Sequence, residues 1–507
     1  VQASDLDVIG LTLLRRFDAS LKGTGIAVAQ PEAPNTYGGN DCQVNPSTVG
    51  QAQGLFTWIS SSGATSTTFP NGIGSESAHA DTVAGNFYGV PNGVATNVSH
   101  VYNYEANYFI NLLIGPAPAS IVARVVNQSF TFGATNSTVD QALDNYAFNH
   151  NAVIVSGAPG GPIYSPASCF NGVAVGIYNN PYTALGPTED GRCKPDLVAP
   201  DDAQAPGGAV SYATAYVSGA AVLLLQAAAR NDGGAGTAGV ATNLTVLKAL
   251  LLNGAVKPAD WTNGPGRPMD ARHGAGVLNV YNSWKQLKGG RQSRVQVTTN
   301  APGAAHLPGT NIINEPSLTG WDYGSITNSG SGSAMKEVVN HYYFNLSASN
   351  AGPFTLTATM VWNRQAGQLR VNNLNLFLVN AANSNIVAVS TGAVDNVRHL
   401  FVPAVAAGRY DLQVQKTTNS LVSAVENYGL AFEFFTQPLG MATAGTNLIF
   451  SWPAYPAGFT LMGALDLAPP AGWSPVVPSP MVDTNTGLNL STVPVGEGVR
   501  FFRLQRP

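Results

Sequence analysis

Charge is scarce in this sequence. Of 507 residues, 24 are Lys or Arg and 28 are Asp or Glu, 10% in all, for a net charge of −4. Ordinary soluble proteins carry about 25% charged residues, and here no basic patch exists to track a phosphate backbone, which excludes nucleic acid as a partner. Cysteine is nearly absent too. The three present, Cys42, Cys169 and Cys193, match no zinc spacing, and a single bridge would leave one odd thiol; Cys169 with Cys193 is the expected pair. Long apolar runs are also missing. The longest, Ala213 to Ala229, is interrupted by Thr214, Ser218, Gly219 and Gln226 and reads as a buried helix, so no membrane span is expected. The numbering starts at Val1, and no charged segment followed by an apolar one stands at the front. That pattern reads as a processed, exported protein, secreted or displayed on a bacterial surface.

What is abundant completes the picture. Hydrophobic residues make up 44%, enough for a sizeable core. With 55 Gly and 33 Pro beside many Asn, Thr and Ser, the surface is hydrated by amides and hydroxyls, as in loop-rich extracellular β proteins. Little like-charge repulsion keeps copies of such a surface apart, so self-association is a possible property. The length allows roughly two to four domains.

Leu6, Ile9, Leu13 and Phe17 recur at helical spacing behind Ser4, a plausible N-cap, and predict one amphipathic helix from Asp5 to Phe17. Short β-branched segments follow at Ile26–Gln30, Ile121–Val126, Ala152–Ser156 and Val173–Ile177. They alternate with helical patterns at Val139–Asn149, Tyr212–Ala229 and Leu244–Leu252. Strands alternating with helices predict a parallel sheet with crossovers. After about Gly290 the period changes to two, as in Phe354–Trp362, Leu374–Val379 and Tyr410–Val414, which predicts a β-sandwich of jelly-roll type. A Pro/Gly break at Gln437–Gly445 precedes candidate strands Leu448–Trp452, Phe459–Met462 and Val499–Leu504. The expected domains are therefore 1–290, 291–437 and 438–507: α/β, then an all-β sandwich, then a small all-β module.

The stretch Gly207–Gln226 runs from a Gly-rich loop through Ser211 directly into an apolar helix. A serine there can be a plain N-cap. It can also present its hydroxyl beyond the carboxyl ends of a parallel sheet, where the helix N-terminus stabilises negative charge. The stretch resembles the nucleophile motif G-T-S-M-A-T-P-H-V-A-G of the subtilisin-like serine proteases, matching at Ser211, Ala213, Thr214, Val217 and Gly219. Three more blocks follow that family's order: H-A-D-T-V-A-G at His79–Gly85, K-P-D-L-V-A-P at Lys194–Pro200 and G-A-G-V-L-N at Gly274–Asn279. The resemblance implies a three-layer subtilisin-like domain, a polypeptide substrate and no catalytic cofactor. Aligned with the family's first strand, Gly25–Ala33 puts Glu32 at the acid position usually held by Asp, with Gln30 the neighbouring inward alternative. The implied triad is Glu32, His79 and Ser211.

The resemblance breaks at the oxyanion hole. Val153–Gly161 carries Pro159 where the family has Asn. Proline has no donor, which leaves the N–H of Ser211 and a rearranged Gly160 or Gly161 amide. The residues around His79 (Ala80, Asp81, Thr82) and the pair Ala215-Tyr216 also depart from the family pattern. Val125–Gly133 resembles the family's substrate-pairing edge and singles out Ser129, Phe130 and Thr131. These readings imply a serine endopeptidase with an altered oxyanion hole. The alternative is a catalytically impaired member of the fold acting as a structural or self-assembling surface protein. The segment after Val371 is similar to the P-like or pre-peptidase sandwiches that follow subtilase domains, and the last block resembles small bacterial C-terminal β modules. Asn373 and Asn375 stand where the sandwich family tends to have Asp, so structural calcium has no assignable ligands there.

Overall fold

The structure, a computed structural model, describes the chain except for residues 1–3, 36–37, 116–119, 179, 202–208, 259, 265, 296–315, 328–338, 348–353, 417–421, 437–438, 454–458, 467–471, 484–487, 497–499 and 506–507. Its first region contains strands β1 (Ala27–Glu32), β2 (Asp41–Gln43), β3 (Phe56–Ile59), β4 (Thr65–Ser66), β5 (Ser75–Glu76), β6 (His100–Glu105), β7 (Val125–Gln128), β8 (Val153–Gly157), β9 (Val173–Ile177) and β10 (Leu197–Ala199). An eight-stranded sheet runs in the order β10-β9-β8-β7-β1-β6-β3-β4. Every pair in it is parallel except β3 with β4. Parallel neighbours require crossovers, and the helices that supply and flank them are α1 (Asp5–Val8), α2 (Leu11–Phe17), α3 (Ala78–Phe87), α4 (Ala106–Ile114), α5 (Ser137–His150), α6 (Val210–Ala229), α7 (Ala238–Ala241), α8 (Leu244–Asn253) and α9 (Val280–Lys288).

Helix α6 is apolar on nearly every side because it is the core helix of this domain. Among the described residues it alone is long and apolar enough to cross a membrane, yet most of it is buried inside the protein. The opening helix expected from Asp5 to Phe17 is two helices. Ser4 caps the first in a reciprocal box with Asp7. The break falls at Gly10, whose φ of +73° is left-handed and whose missing Cβ would sit 2.5 Å from Asn279 Oδ1. Hydrophobic spacing does not register such a close approach.

The second region contains β11 (Thr319–Thr327), β12 (Val339–Leu346), β13 (Phe354–Trp362), β14 (Leu374–Asn380), β15 (Ile386–Ser390), β16 (Val397–Val405), β17 (Gly408–Lys416) and β18 (Val425–Phe435). They form two four-stranded sheets, β11-β18-β13-β16 and β12-β17-β14-β15, antiparallel throughout. This strand order is that of a jelly roll. Leu374, Leu376 and Leu378, predicted to share a face, are fully buried in the inter-sheet core. The other face of the first sheet packs on α8 and α9, and Trp321, Val361, Val397 and Ala431 belong to the core of the α/β domain. Polar contacts seal the junction. The Asn171 amide donates to Arg364 O (2.9 Å) and its oxygen accepts from Arg364 N (2.8 Å), while Asn253 Oδ1 accepts from the hydroxyls of Thr357 and Thr359.

The third region is all β: β19 (Gly440–Ala444), β20 (Asn447–Pro453), β21 (Thr460–Ala464), β22 (Ser474–Pro475), β23 (Met481–Asp483), β24 (Leu488–Pro494) and β25 (Phe501–Gln505). Its sheets are β19-β20-β24-β23 and β22-β21-β25, around Phe450, Trp452, Leu461 and Val493. The expected break at Gln437–Gly445 is mostly strand. Residues 437–438 lie outside the described residues, but Gly440–Ala444 pairs with β20 across a turn in which Gly445 has φ +60°. Val499, at the start of the last expected strand, also lies outside them.

Candidate active site

The three implied catalytic residues come from three elements whose ends meet at the carboxyl edge of the parallel sheet. Glu32 is the last residue of β1 and is 1% exposed. His79 is the second residue of α3, whose N-cap Ser77 accepts from the Ala80 N–H. Ser211 is the second residue of α6. The N-cap is Ala209, which contributes no side-chain cap, so the reading of Ser211 as an N-cap is corrected: it stands two positions past the cap, and its hydroxyl faces His79. Gly207 and Gly208, the first residues of the Gly-rich loop, lie outside the described residues.

His79 Nδ1 lies 2.8 Å from Glu32 Oε2, and His79 Nε2 lies 2.9 Å from Ser211 Oγ. A carboxylate only accepts, so Nδ1 carries the proton and the bare Nε2 accepts from the serine hydroxyl. Burial by itself lowers the imidazole pKa. The hydrogen bond and charge of Glu32 outweigh it, and the net shift is upward. The imidazole side chain is 36% exposed while Glu32 is sealed, so one side of the pair is open to a substrate and the other is dry. Gln30, the alternative acid-side residue, touches Glu32 and not His79: its Nε2 donates to Glu32 Oε1 at 2.8 Å.

Ser129 also reaches this site. Its hydroxyl donates to Ser211 O (3.1 Å) and accepts from Asn127 Nδ2 (2.9 Å), and Ser218 Oγ donates to Asn127 Oδ1 (2.9 Å). Ser129 O lies 3.5 Å from Ser211 Oγ. Strand β7 ends at Gln128, and beyond it Ser129–Thr131 leave the ladder; Phe132 N–H turns away to Ser165 O at 2.9 Å. The end of β8 packs tightly on the first turn of α6, where a Cβ on Gly157 would lie 2.9 Å from Thr214 Oγ1. Pro159 and Gly160, two and three residues on, turn toward another segment: Pro159 bridges Thr183, Gly161 bridges Ala184, and a Cβ on Gly160 would meet Tyr182 O at 2.6 Å.

The Cys169–Cys193 bridge is not formed. All three cysteines are free and buried. Cys169 Sγ lies under Gly172, whereas Cys193 Sγ faces Met269 O at 3.9 Å. Burial pushes both thiols up to about 12. In the sandwich, Asn373 Oδ1 accepts from the buried Arg398 guanidinium, so a cation at that corner would meet a positive charge. Among the described residues no group of three or more His, Cys, Asp or Glu side chains gathers as metal ligands.

Sequence reading missed two neighbours of the site. Tyr88, at the end of α3, bonds Gln30. Asp81, one turn into α3, is held by the Asn45 N–H at 2.7 Å. Asp81 was visible as a departure from the family motif, but Tyr88 carried no sequence signal.

Residues 56–281 match the model of the subtilase family, a span that contains His79 and Ser211 and begins after Glu32. No curated protein matches the chain. Similar solved structures include a protease from Pseudoalteromonas arctica, 18% identical over 55% of this chain and 94% of that one, with a TM-score of 0.37. The PatG macrocyclase in complex with peptide is 18% identical over 57% and 99%, also at 0.37. A lanthipeptide protease is 16% identical over 56% and 95%, at 0.35. Residues 56–281 of this chain belong to the subtilase family.

Proposed function

We propose that the chain is a serine endopeptidase whose triad is Ser211, His79 and Glu32. The observation that carries this reading is the unbroken pair of contacts from Glu32 through His79 to Ser211, 2.8 and 2.9 Å long. In the reaction Ser211 Oγ attacks the peptide carbonyl while His79 Nε2 takes its proton. Glu32 holds the tautomer and stabilises the imidazolium that results. The tetrahedral oxyanion forms at the N-terminus of α6, where the Ser211 N–H and the helix dipole favour negative charge. His79 then returns the proton to the departing amine, and water, activated by the same imidazole, hydrolyses the acyl-enzyme. An extended polypeptide substrate pairs with Ser129–Thr131 by backbone hydrogen bonds. The sparse charge and the amide- and hydroxyl-rich composition support a setting outside the cell.

The test is labelling with a fluorophosphonate, which reacts only with an activated serine. Covalent modification at Ser211 that is lost in Ser211→Ala is expected; folded wild-type protein that stays unlabelled would refute the assignment.

One observation favours the second reading, a member of the fold with impaired catalysis. Pro159 offers no donor, and its segment is drawn toward Thr183 and Ala184. Loss of one oxyanion donor costs about 10²–10³ in turnover. Labelling of Ser211 without measurable peptide turnover separates this reading from the first.

A further inference from the structure

Glu32 has a second carboxylate oxygen, and it is not left to water. Oε1 accepts from Gln30 Nε2 at 2.8 Å, while Oε2 faces His79. Gln30 and Glu32 are two apart on β1, so their side chains emerge on one face of the strand. The same Gln30 Nε2 donates to Ala80 O at 3.0 Å, the carbonyl of the residue after His79. The Gln30 oxygen accepts from the Tyr88 hydroxyl at 2.6 Å. Gln30 and Tyr88 are both fully buried, so every donor and acceptor in this group finds its partner inside the protein.

The orientation of the Gln30 amide is determined by chemistry. A carboxylate and a carbonyl on one side demand its two N–H groups, and a hydroxyl proton on the other demands its oxygen. A flipped amide would put oxygen against oxygen at both Glu32 and Ala80. The Tyr88 hydroxyl remains protonated, because burial raises its pKa well above the ordinary value and the charges of Glu32 and Asp81 raise it further. Glutamate carries one more rotatable bond than aspartate, so a Glu at the acid position has more freedom to lose before its carboxylate is aligned. Asp81 and Cys42 are other titratable groups close enough to feel the Glu32 charge.

We infer that Gln30 and Tyr88 are positioning residues: Tyr88 sets the Gln30 amide, and Gln30 locks both the Glu32 carboxylate and the first turn of the helix that carries His79. This inference rests on the reading of Ser211 and His79 as a catalytic pair. It explains how a Glu can serve at that position: the buried amide removes the freedom that the extra methylene adds.

The experiment compares wild-type protein with Tyr88→Phe and Gln30→Leu by two measurements. The first is the pH dependence of Ser211 labelling by a fluorophosphonate and of kcat and KM on a peptide. The second is the low-field proton resonance of His79 Nδ1–H in histidine-labelled protein. Tyr88→Phe should lower kcat about tenfold, the worth of one buried hydrogen bond. Gln30→Leu should lower it about 10²-fold, as a misplacement of about 1 Å does. In both, KM should hold, the acid limb should move to lower pH and the resonance should shift upfield. In a Glu32→Ala background neither change should lower kcat further. Equal losses in that background, losses in KM alone, or an unmoved resonance in folded Tyr88→Phe would overturn the inference. Tyr88→Phe removes a single oxygen and decides the matter if Gln30→Leu does not fold. An unlabelled wild-type Ser211 defeats the peptidase reading, while the resonance still tests the positioning.

Discussion

His79 Nε2 stands 2.9 Å from Ser211 Oγ across 132 positions of sequence. Two groups that act as one unit do not lose activity additively. Ser211→Ala, His79→Ala and the double variant should therefore show the same residual peptide hydrolysis within a few-fold. The check is initial-rate assays at matched protein concentration, and a double variant slower than either single one by the product of their effects would show that the two residues act separately.

Glu32→Gln should keep the fold and lower kcat by about 10⁴, because an amide can present its N–H to Nδ1 and select the wrong tautomer. The pH profile should move as well. In the wild type, burial lowers the His79 pKa but the Glu32 hydrogen bond and charge leave it above 6.5. Activity needs the neutral imidazole, so the acid limb of kcat/KM should lie above 6.5. Without the carboxylate only burial remains, and the residual activity should titrate below 6.5.

Asp81 makes stability pH-dependent. Burial first, opposed by the Asn45 N–H and joined by the hydrogen bond and charge of Glu76 and the charge of Glu32, raises its carboxyl from 3.8 to about 7. The folded state therefore holds a proton that the unfolded chain releases near 3.8. Its contribution is complete below that value and is lost as pH rises through about 7. Asp81→Asn keeps an acceptor for the Asn45 N–H and has nothing to ionise. Its Tm should exceed that of the wild type at pH 8 and match it near pH 4, as followed by thermal unfolding across that range.

Pro159→Asn supplies an amide donor at the position where one is missing. If its side chain reaches the oxyanion, kcat should rise by up to roughly 10² with KM little changed. Steady-state kinetics on one peptide, before and after the substitution, measure it directly.

Trp321 belongs to the sandwich yet is buried in the core of the α/β domain, with its indole N–H bonded to Leu287 O at 3.0 Å. Trp321→Ala should cost about 3–5 kcal/mol. Urea unfolding should show the loss in both domains together, by near-ultraviolet circular dichroism and by the labelling rate of Ser211 alike.

Much of the fold was legible in order and period. The β-branched segments at Val153 and Val173 and the apolar run after Ser211 became β8, β9 and α6 because burial on both faces, or all round, selects such residues. The alternation of Leu374, Leu376 and Leu378 named a sandwich face for the same reason. The break at Gly10 and the strand at Gly440–Ala444 were not legible, since each depends on a distant partner, Asn279 for one and β20 for the other. The Cys169–Cys193 pairing failed because spacing says nothing of where two sulfurs point.

The sequence alone determined the order of textures and the chemical groups: an alternation of strands and helices giving way to period-two strands, a serine that opens an apolar helix, and an imidazole and a carboxylate elsewhere in the family's order. These follow from local periodicity and residue type, which need no knowledge of distant contacts. Only the tertiary structure decided that Glu32, and not Gln30, meets His79, that Gln30 and Tyr88 stand behind it, and that the sandwich shares its core with the α/β domain. Each of these depends on a side chain's direction and on a partner tens to hundreds of positions away, and such contacts are set by packing and by the pairing of buried polar groups.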